Sequence, residues 1–484
     1  MEQNDQRQAS GGGESRHAPA PLTRRRFLGA AGAGALGLTA FPTILTACGG
    51  GGGSSSSSSS STSKSTGPGE VSLFIGKDTT YSSQQAAIIA MVQQEFAKQH
   101  PGSKLTWDTY ASSNEELTKV ETSAASHSGP DIFEFGTTLV PTAYATGAFE
   151  TITDDLWNQL GGRGAFIQSM LTMSGPSKGK QIAIPETAAP YAMAYNKKLL
   201  QAAGVSKPPT TWTQFVDDGK KVTNPAADVW GTAAAYNDSF EPWHHIWMLT
   251  TQMGGHMVSP DGKKGMLDSP EVVEAAAFWL DLAGKYKVAS KNDATFKGAD
   301  RVKAFASGKA AFLPMMDQSG IVTFDASPVA SDYAYAPNPT VPYGKSSVPS
   351  GGKPAQGFVS GQMLTIFKYS KHPDLALDVI KIILSPQIQY QQWKQRSQLP
   401  VSFNVFKKYP ELQKSPWDIF VKAEEKAYPI PFVGAWGQLE VVLGRAINQM
   451  ASQIAINGSY SMSDLRSALQ QANTQLQSAL AQQR

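Results

Sequence analysis

The 484 residues contain one cysteine, Cys48. A single thiol excludes an intramolecular disulfide, so a packed core has to hold the fold without staples. Excess charge of either sign is also missing: 42 Lys and Arg stand against 39 Asp and Glu, a net +3. Residues 1–47 hold five of the basic and three of the acidic residues, so the remainder carries +1. Such a chain lacks the electrostatic footprint of a nucleic-acid binder. Beyond residue 47 no run of 18 apolar residues occurs, so nothing there is long enough to span a bilayer. No Walker A sequence and no H-E-x-x-H pattern is present. His244 and His245 are adjacent and would point different ways on a helix, which argues against a shared metal. No cofactor and no metal is expected.

What is present begins with an address. Residues 1–21 are polar and Gly-rich, then Thr23-Arg24-Arg25-Arg26-Phe27-Leu28 precedes an Ala/Gly/Leu-rich stretch to Ala47. A basic region before an apolar one is the export pattern. The adjacent arginines followed by Phe-Leu resemble the twin-arginine signal, with Gly29 where that signal usually has Lys. Leu45-Thr46-Ala47-Cys48 is similar to the lipobox of bacterial lipoproteins. That resemblance implies acylation of Cys48 and anchorage on the extracytoplasmic face of the cell membrane. Gly32 to Gly37 has G-x-G-x-x-G spacing but lies inside the signal, without the strand and helix that a dinucleotide site needs. Residues 48–69 are nearly all Gly and Ser and read as a tether. About 20 such residues reach roughly 25 Å.

The remaining roughly 415 residues exceed one usual core and suggest two domains. Val71–Gly76, Lys104–Tyr110 and Asp131–Phe135 read as strands. Gln84–Gln99 and Glu115–Ser126 read as the helices between them. Strand–helix alternation of this kind predicts a doubly wound α/β lobe, with ligands beyond the carboxyl ends of the strands. Those ends are Lys77-Asp78-Thr79, Ala111-Ser112 and Gly136-Thr137-Thr138. After Glu186 helices dominate, interrupted by strands at Ala310–Met315, Tyr333–Ala336 and Gln362–Phe367. Pro337–Gly357, rich in Pro, Gly and Ser, reads as a crossing region or exposed loop. Gly175-Pro176-Ser177-Lys178-Gly179 fits the G-x-S-x-G spacing of a nucleophile elbow, but its Pro and Gly precede a strand expected over Lys180–Ile184. A hairpin turn is the expectation there, and the chain is read as a non-enzyme.

In this arrangement the chain resembles the extracellular solute-binding proteins of ABC transporters, the family that includes maltose-binding protein. The resemblance rests on an ordered set of segments across Val71–Arg484. They are Gly129-Pro130-Asp131-Ile132, Ile184-Pro185-Glu186 through Tyr195-Asn196-Lys197-Lys198, and Pro208 to Trp212. Asn237 to Trp243, Phe305 to Ala311 and Ala435-Trp436-Gly437 complete the set. It implies an α/β, two-lobed periplasmic-binding-protein-like fold, with a hinge of crossing strands and an interlobe ligand cleft. The lobes are expected at residues 70–188 plus 338–404 and at 189–337 plus 405–484. The expected role is capture of a carbohydrate for a membrane permease, by a protein expected to be monomeric.

The resemblance also nominates ligand contacts. They are Asp78, Thr79, Phe135, Thr137 and Thr138 from the first lobe, Glu186 at the hinge, and Trp243, Asp317, Gln318 and Trp436 from the second. Tyr81 is a further candidate. Aromatic faces suit the C–H faces of pyranoses, and Asp, Glu, Gln and Thr suit their hydroxyls. Met316-Asp317-Gln318 stands where the family commonly has an aromatic residue, which leaves the sugar open. A polyol, glycerol phosphate or another small solute is the alternative, although the nominated positions supply no Arg or Lys for a phosphate. A secreted carbohydrate-active enzyme is the more distant one.

Overall fold

A computed structural model describes residues 67–482. Cys48, the arginine pair and all of the Gly/Ser segment before residue 67 lie outside the described residues. No described helix is long and apolar enough to cross a membrane.

The described residues form ten strands: β1 Glu70–Gly76, β2 Lys104–Tyr110, β3 Ile132–Gly136, β4 Ala183–Ala188 and β5 Ala192–Asn196, then β6 Trp230–Thr232, β7 Ala310–Met316, β8 Tyr333–Ala336, β9 Gly361–Ile366 and β10 Leu399–Pro400. The helices that position the site are α1 Ser82–Gln99, α2 Ser113–Ser126, α3 Glu241–Gln252, α4 Pro386–Arg396 and α5 Trp436–Asn457. α2 begins two residues before the apolar period suggests, because the Ser112 side chain accepts a hydrogen bond from Glu115 N and caps it. β4 begins three residues later than expected. The Gly175–Gly179 stretch is bend and turn, with Lys180 N donating to Ser177 O at 3.0 Å and Gly179 at φ +83°. It is not a strand-to-helix elbow.

Six strands form one sheet in the order β10-β4-β9-β3-β1-β2. β1 runs parallel to β2 and β3, whereas β9 is antiparallel to both β3 and β4. Val71, Leu73, Phe74 and Ile75 of β1 are all buried, as expected for a strand covered on both faces. Ile88, Ile89, Val92 and Phe96 form the buried stripe of α1. The second sheet has the order β6-β7-β5-β8. Every residue of β7 is buried. This is the two-lobed α/β architecture of periplasmic binding proteins.

The chain passes between the sheets at 189–191, within 337–360 and again after β10, where Phe420 packs on Tyr335 of β8. These passages lie side by side. Ala189 N donates to Ser360 O at 2.8 Å, and Val359 N donates to Tyr428 O at 3.0 Å. Gly361 is required at the contact: a Cβ there would sit 2.0 Å from Thr187 O.

Candidate functional site

Register fixes which ends of the first sheet meet. Gly136 of β3 pairs with Gln362 of β9, and Gln362 and Gly361 pair with Thr187 and Ala188 of β4. The carboxyl ends of β1, β2, β3 and β4 therefore share one edge with the start of β9. A cavity of about 400 Å3 opens there. That volume lies within the roughly 300–1,000 Å3 of small-ligand pockets.

Eight of the nominated residues line this cavity: Asp78, Thr79, Tyr81, Thr137, Thr138, Glu186, Trp243 and Asp317. The other three do not. Phe135 is fully buried and packs against Phe149, because alternation along β3 sends Phe133 and Phe135 to one face and Glu134 to the cleft. Gln318 is buried, and its Nε2 donates to Ala188 O at 2.8 Å, so it ties the loop after β7 to β4. Trp436 lies behind Trp243, with ring centroids 5.8 Å apart, and faces a separate cavity beside Trp247 and Tyr428.

The structure adds residues that the sequence reading missed. Tyr110, Glu116, Glu134 and Gln362 extend the first-sheet wall, with Arg396 from the end of α4. Tyr191, Asp238, Phe240, Glu241, His244 and Phe358 form much of the opposite wall. Strand alternation alone could have assigned Glu134. The others depend on pairings distant in sequence, such as Asp78 with Arg396.

The two walls differ in chemistry. On the first, Arg396 Nε donates to Asp78 Oδ2 at 2.8 Å and Nη1 donates to Gln392 Oε1 at 2.6 Å. The cleft therefore does contain cations, contrary to what the nominated positions suggested: the exposed Lys77, and Arg396, which is bonded to Asp78. Beside it Glu116, Glu134 and Glu186 are buried. Gly136 N donates to Glu116 Oε1 at 3.2 Å, and Gln392 Nε2 donates to Glu186 Oε1 at 3.3 Å. Burial pushes the Glu116 and Glu134 carboxyls up to about 7. Burial and the facing Glu134 raise Glu186 well above the carboxylate range, which favours its protonated form beside Glu134, while Arg396 opposes the shift in both.

On the second wall Trp243 packs against Phe358 at 4.8 Å, and the His244 ring sits 4.8 Å from Phe358. Burial holds His244 neutral. The acids here are engaged locally. Asp238 Oδ1 accepts from Phe240 N and Glu241 N at the start of α3, and Asp317 Oδ1 accepts from Ser319 N at 2.8 Å. Glu241 Oε1 lies 2.7 Å from Arg301 Nη2, although burial still raises its carboxyl to about 8.

A bridge joins the walls at the rim. The Tyr81 hydroxyl, from the loop after β1, donates to Ser319 O at 2.6 Å and lies 3.0 Å from Thr323 Oγ1. The described state is thus a closed one on this side.

Comparison with known proteins agrees with this architecture. The family model described as bacterial extracellular solute-binding protein matches residues 80–390. The diacetylchitobiose-binding protein DasA of Streptomyces coelicolor is 27% identical over 278 residues, 56% of this chain and 60% of DasA, so the match spans less than two thirds of that relative. Among solved structures, maltose-bound MalE3 of T. maritima superposes with a TM-score of 0.69 at 20% identity, covering 84% of this chain and 99% of that one. A solute-binding protein from Agrobacterium radiobacter in complex with ribitol gives 0.69 at 20% identity, with the same coverage. With its family match, its two sheets and its cleft at their facing edges, the chain belongs to the bacterial extracellular solute-binding proteins.

Proposed function

We propose that the protein is the ligand-capturing component of an ABC importer, which closes on a carbohydrate between its lobes and presents the closed form to a membrane permease. The observation that carries this reading is the 400 Å3 cavity with an aromatic wall, Trp243 and Phe358, facing a polar one. Sugar rings present apolar C–H faces and peripheral hydroxyls, so they need both surfaces at once. DasA and MalE3 are named for saccharide ligands, which supports the class. A polyol is the second reading, favoured by the ribitol-bound neighbour.

The lobes in this proposal are residues 70–188 plus 338–404 and residues 189–337 plus 405–484. Asp78, Thr79, Tyr81, Thr137, Thr138, Glu186, Trp243 and Asp317 contact the ligand. A lipid on Cys48 and the Gly/Ser tether hold the monomer at the outer face of the membrane after twin-arginine export. Ligand leaves unchanged, without catalysis.

Thermal unfolding against a panel of sugars, polyols and other small solutes tests the proposal. A ligand that binds only the folded state raises the midpoint by mass action. One carbohydrate or polyol class is expected to shift it by several degrees, and Trp243→Ala to abolish the shift. A shift from an unrelated solute alone would overturn the ligand class while leaving the family intact.

A further inference from the structure

The imbalance of the first wall extends the carbohydrate reading, on which it rests. Four carboxyls line that wall: Asp78, Glu116, Glu134 and Glu186. Asp78 has its counter-ion in Arg396 at 2.8 Å. Glu116, Glu134 and Glu186 have no ion pair of their own. Arg396 lowers both Glu134 and Glu186 but bonds only Asp78, and the one other cation lining the cavity among the described residues, Lys77, is exposed. Glu186 is 3% exposed and lines the cavity, and apart from the neighbouring Glu134 carboxyl no group among the described residues meets its Oε2. These carboxyls are not arranged to hold a metal ion, since no such group occurs among the described residues.

We propose that this wall receives a cationic nitrogen, so that the ligand is a polyhydroxylated amine, an amino sugar or a saccharide with a free amine, whose ammonium sits between Glu134 and Glu186. Three acceptor groups in a site of low dielectric gain little from a neutral hydroxyl and much from a hydrogen-bonding cation. The second wall is the poorer candidate, although its Glu241 Oε2 is also without a hydrogen-bond partner. Its Glu241 is paired with Arg301, and its Asp238 and Asp317 cap local backbone. The aromatic face of Trp243 and Phe358 then covers the sugar ring or the cation itself.

The pairing exchanges a proton for the ammonium. With ligand absent, Glu186 keeps a proton beside Glu134; with ammonium present, that proton leaves to solvent. The groups facing the pair are Glu116 from α2, Tyr110 from β2, Asp78 after β1, and Arg396 and Gln392 from α4. A primary alkylamine, such as one on the exocyclic carbon of a sugar, keeps its charge from pH 5.5 to 7.5, so its binding should strengthen as pH rises across that interval. A neutral sugar of the same ring should show no comparable gain.

Isothermal titration calorimetry on the full-length chain decides this with matched probes whose amines stay charged: 6-amino-6-deoxyglucose against glucose, and glucamine against sorbitol. The amine member of a pair is expected to bind at least about tenfold more tightly at pH 7.5, with the advantage shrinking towards parity at pH 5.5. Glu186→Gln and, independently, Glu134→Gln should collapse the amine-to-neutral ratio. If either variant fails to fold, the pH profile of the unaltered chain still decides. Neutral members binding as well or better would overturn the cationic subsite and leave carbohydrate capture standing. An amine preference that neither pH nor these substitutions alter would overturn its assignment to this wall. Binding of no sugar, amine or neutral, would overturn the function proposed above as well.

Discussion

The cleft is built from two walls that solve opposite problems. The second-sheet wall is the more complete: its rings pack on one another, Arg301 pairs with Glu241, and Asp238 and Asp317 cap local backbone, although Glu241 Oε2 and Trp243 Nε1 still lack hydrogen-bond partners. The first-sheet wall is unfinished, with three buried carboxyls beside a single arginine that already bonds Asp78. Burial without a partner is costly, and stable cores rarely retain it. Side chains in that condition are better explained by what they bind than by what they hold in place.

The largest effect should come from the aromatic wall. Trp243→Ala removes a ring packed on Phe358, His244 and Trp436 and should cost about 3–5 kcal/mol of stability, read by denaturant unfolding. A loss below about 1 kcal/mol would mean the wall is not structurally self-sufficient and would break the contrast.

The acidic wall should show itself in the pH dependence of the ligand-free protein. Glu116 and Glu134 keep their protons in the folded state up to about 7, whereas in the unfolded chain they release them near the ordinary value of 4.5. Between those limits the folded state binds more protons than the unfolded one. Their contribution to stability is therefore full below about pH 4.5 and falls as pH rises to about 7. The melting midpoint should decline from pH 5 to 8, and Glu134→Gln should flatten the decline. A flat profile in the unaltered chain would show the carboxyls already paired.

A smaller effect is expected where the walls meet. Tyr81→Phe deletes the hydroxyl that reaches Ser319 and Thr323, a change worth about 1 kcal/mol, or roughly fivefold in affinity. Small-angle scattering of the ligand-free variant should report a more open shape. Unchanged scattering and affinity would show that the bridge does not bias closure. The smallest effect on binding should be that of Phe135→Leu, which lowers stability by about 1 kcal/mol and leaves affinity within about threefold. A large affinity loss would move Phe135 back to the ligand.

Much of this was legible in the sequence, for definite reasons. The β1–α1–β2–α2–β3 alternation fixes where strands end, and strand ends are where this fold places ligands. Hence Asp78, Thr79, Thr137 and Thr138 could be named from local pattern and family resemblance. Phe135 is nominated by the family resemblance, whereas the period of two along β3 turns Glu134, its neighbour, towards the cleft. Trp436 carries the right chemistry one layer too deep. Arg396 had no local signal at all, because it meets Asp78 only through a fold that joins positions 318 residues apart. Local chemistry can be read from neighbours, but electrostatic balance belongs to the assembled whole.

The three passages between the sheets have a mechanical consequence. A single strand would let one lobe swing and swivel in any direction. Three extended passages, tied by hydrogen bonds from Ala189 to Ser360 and from Val359 to Tyr428, act as a leather strap, free to flex along one line and stiff to twist. Opening is thereby reduced to one coordinate, a single angle. Whatever fills the cleft can alter the outer surface only by changing that angle, and anything reading the surface from outside has one number to measure.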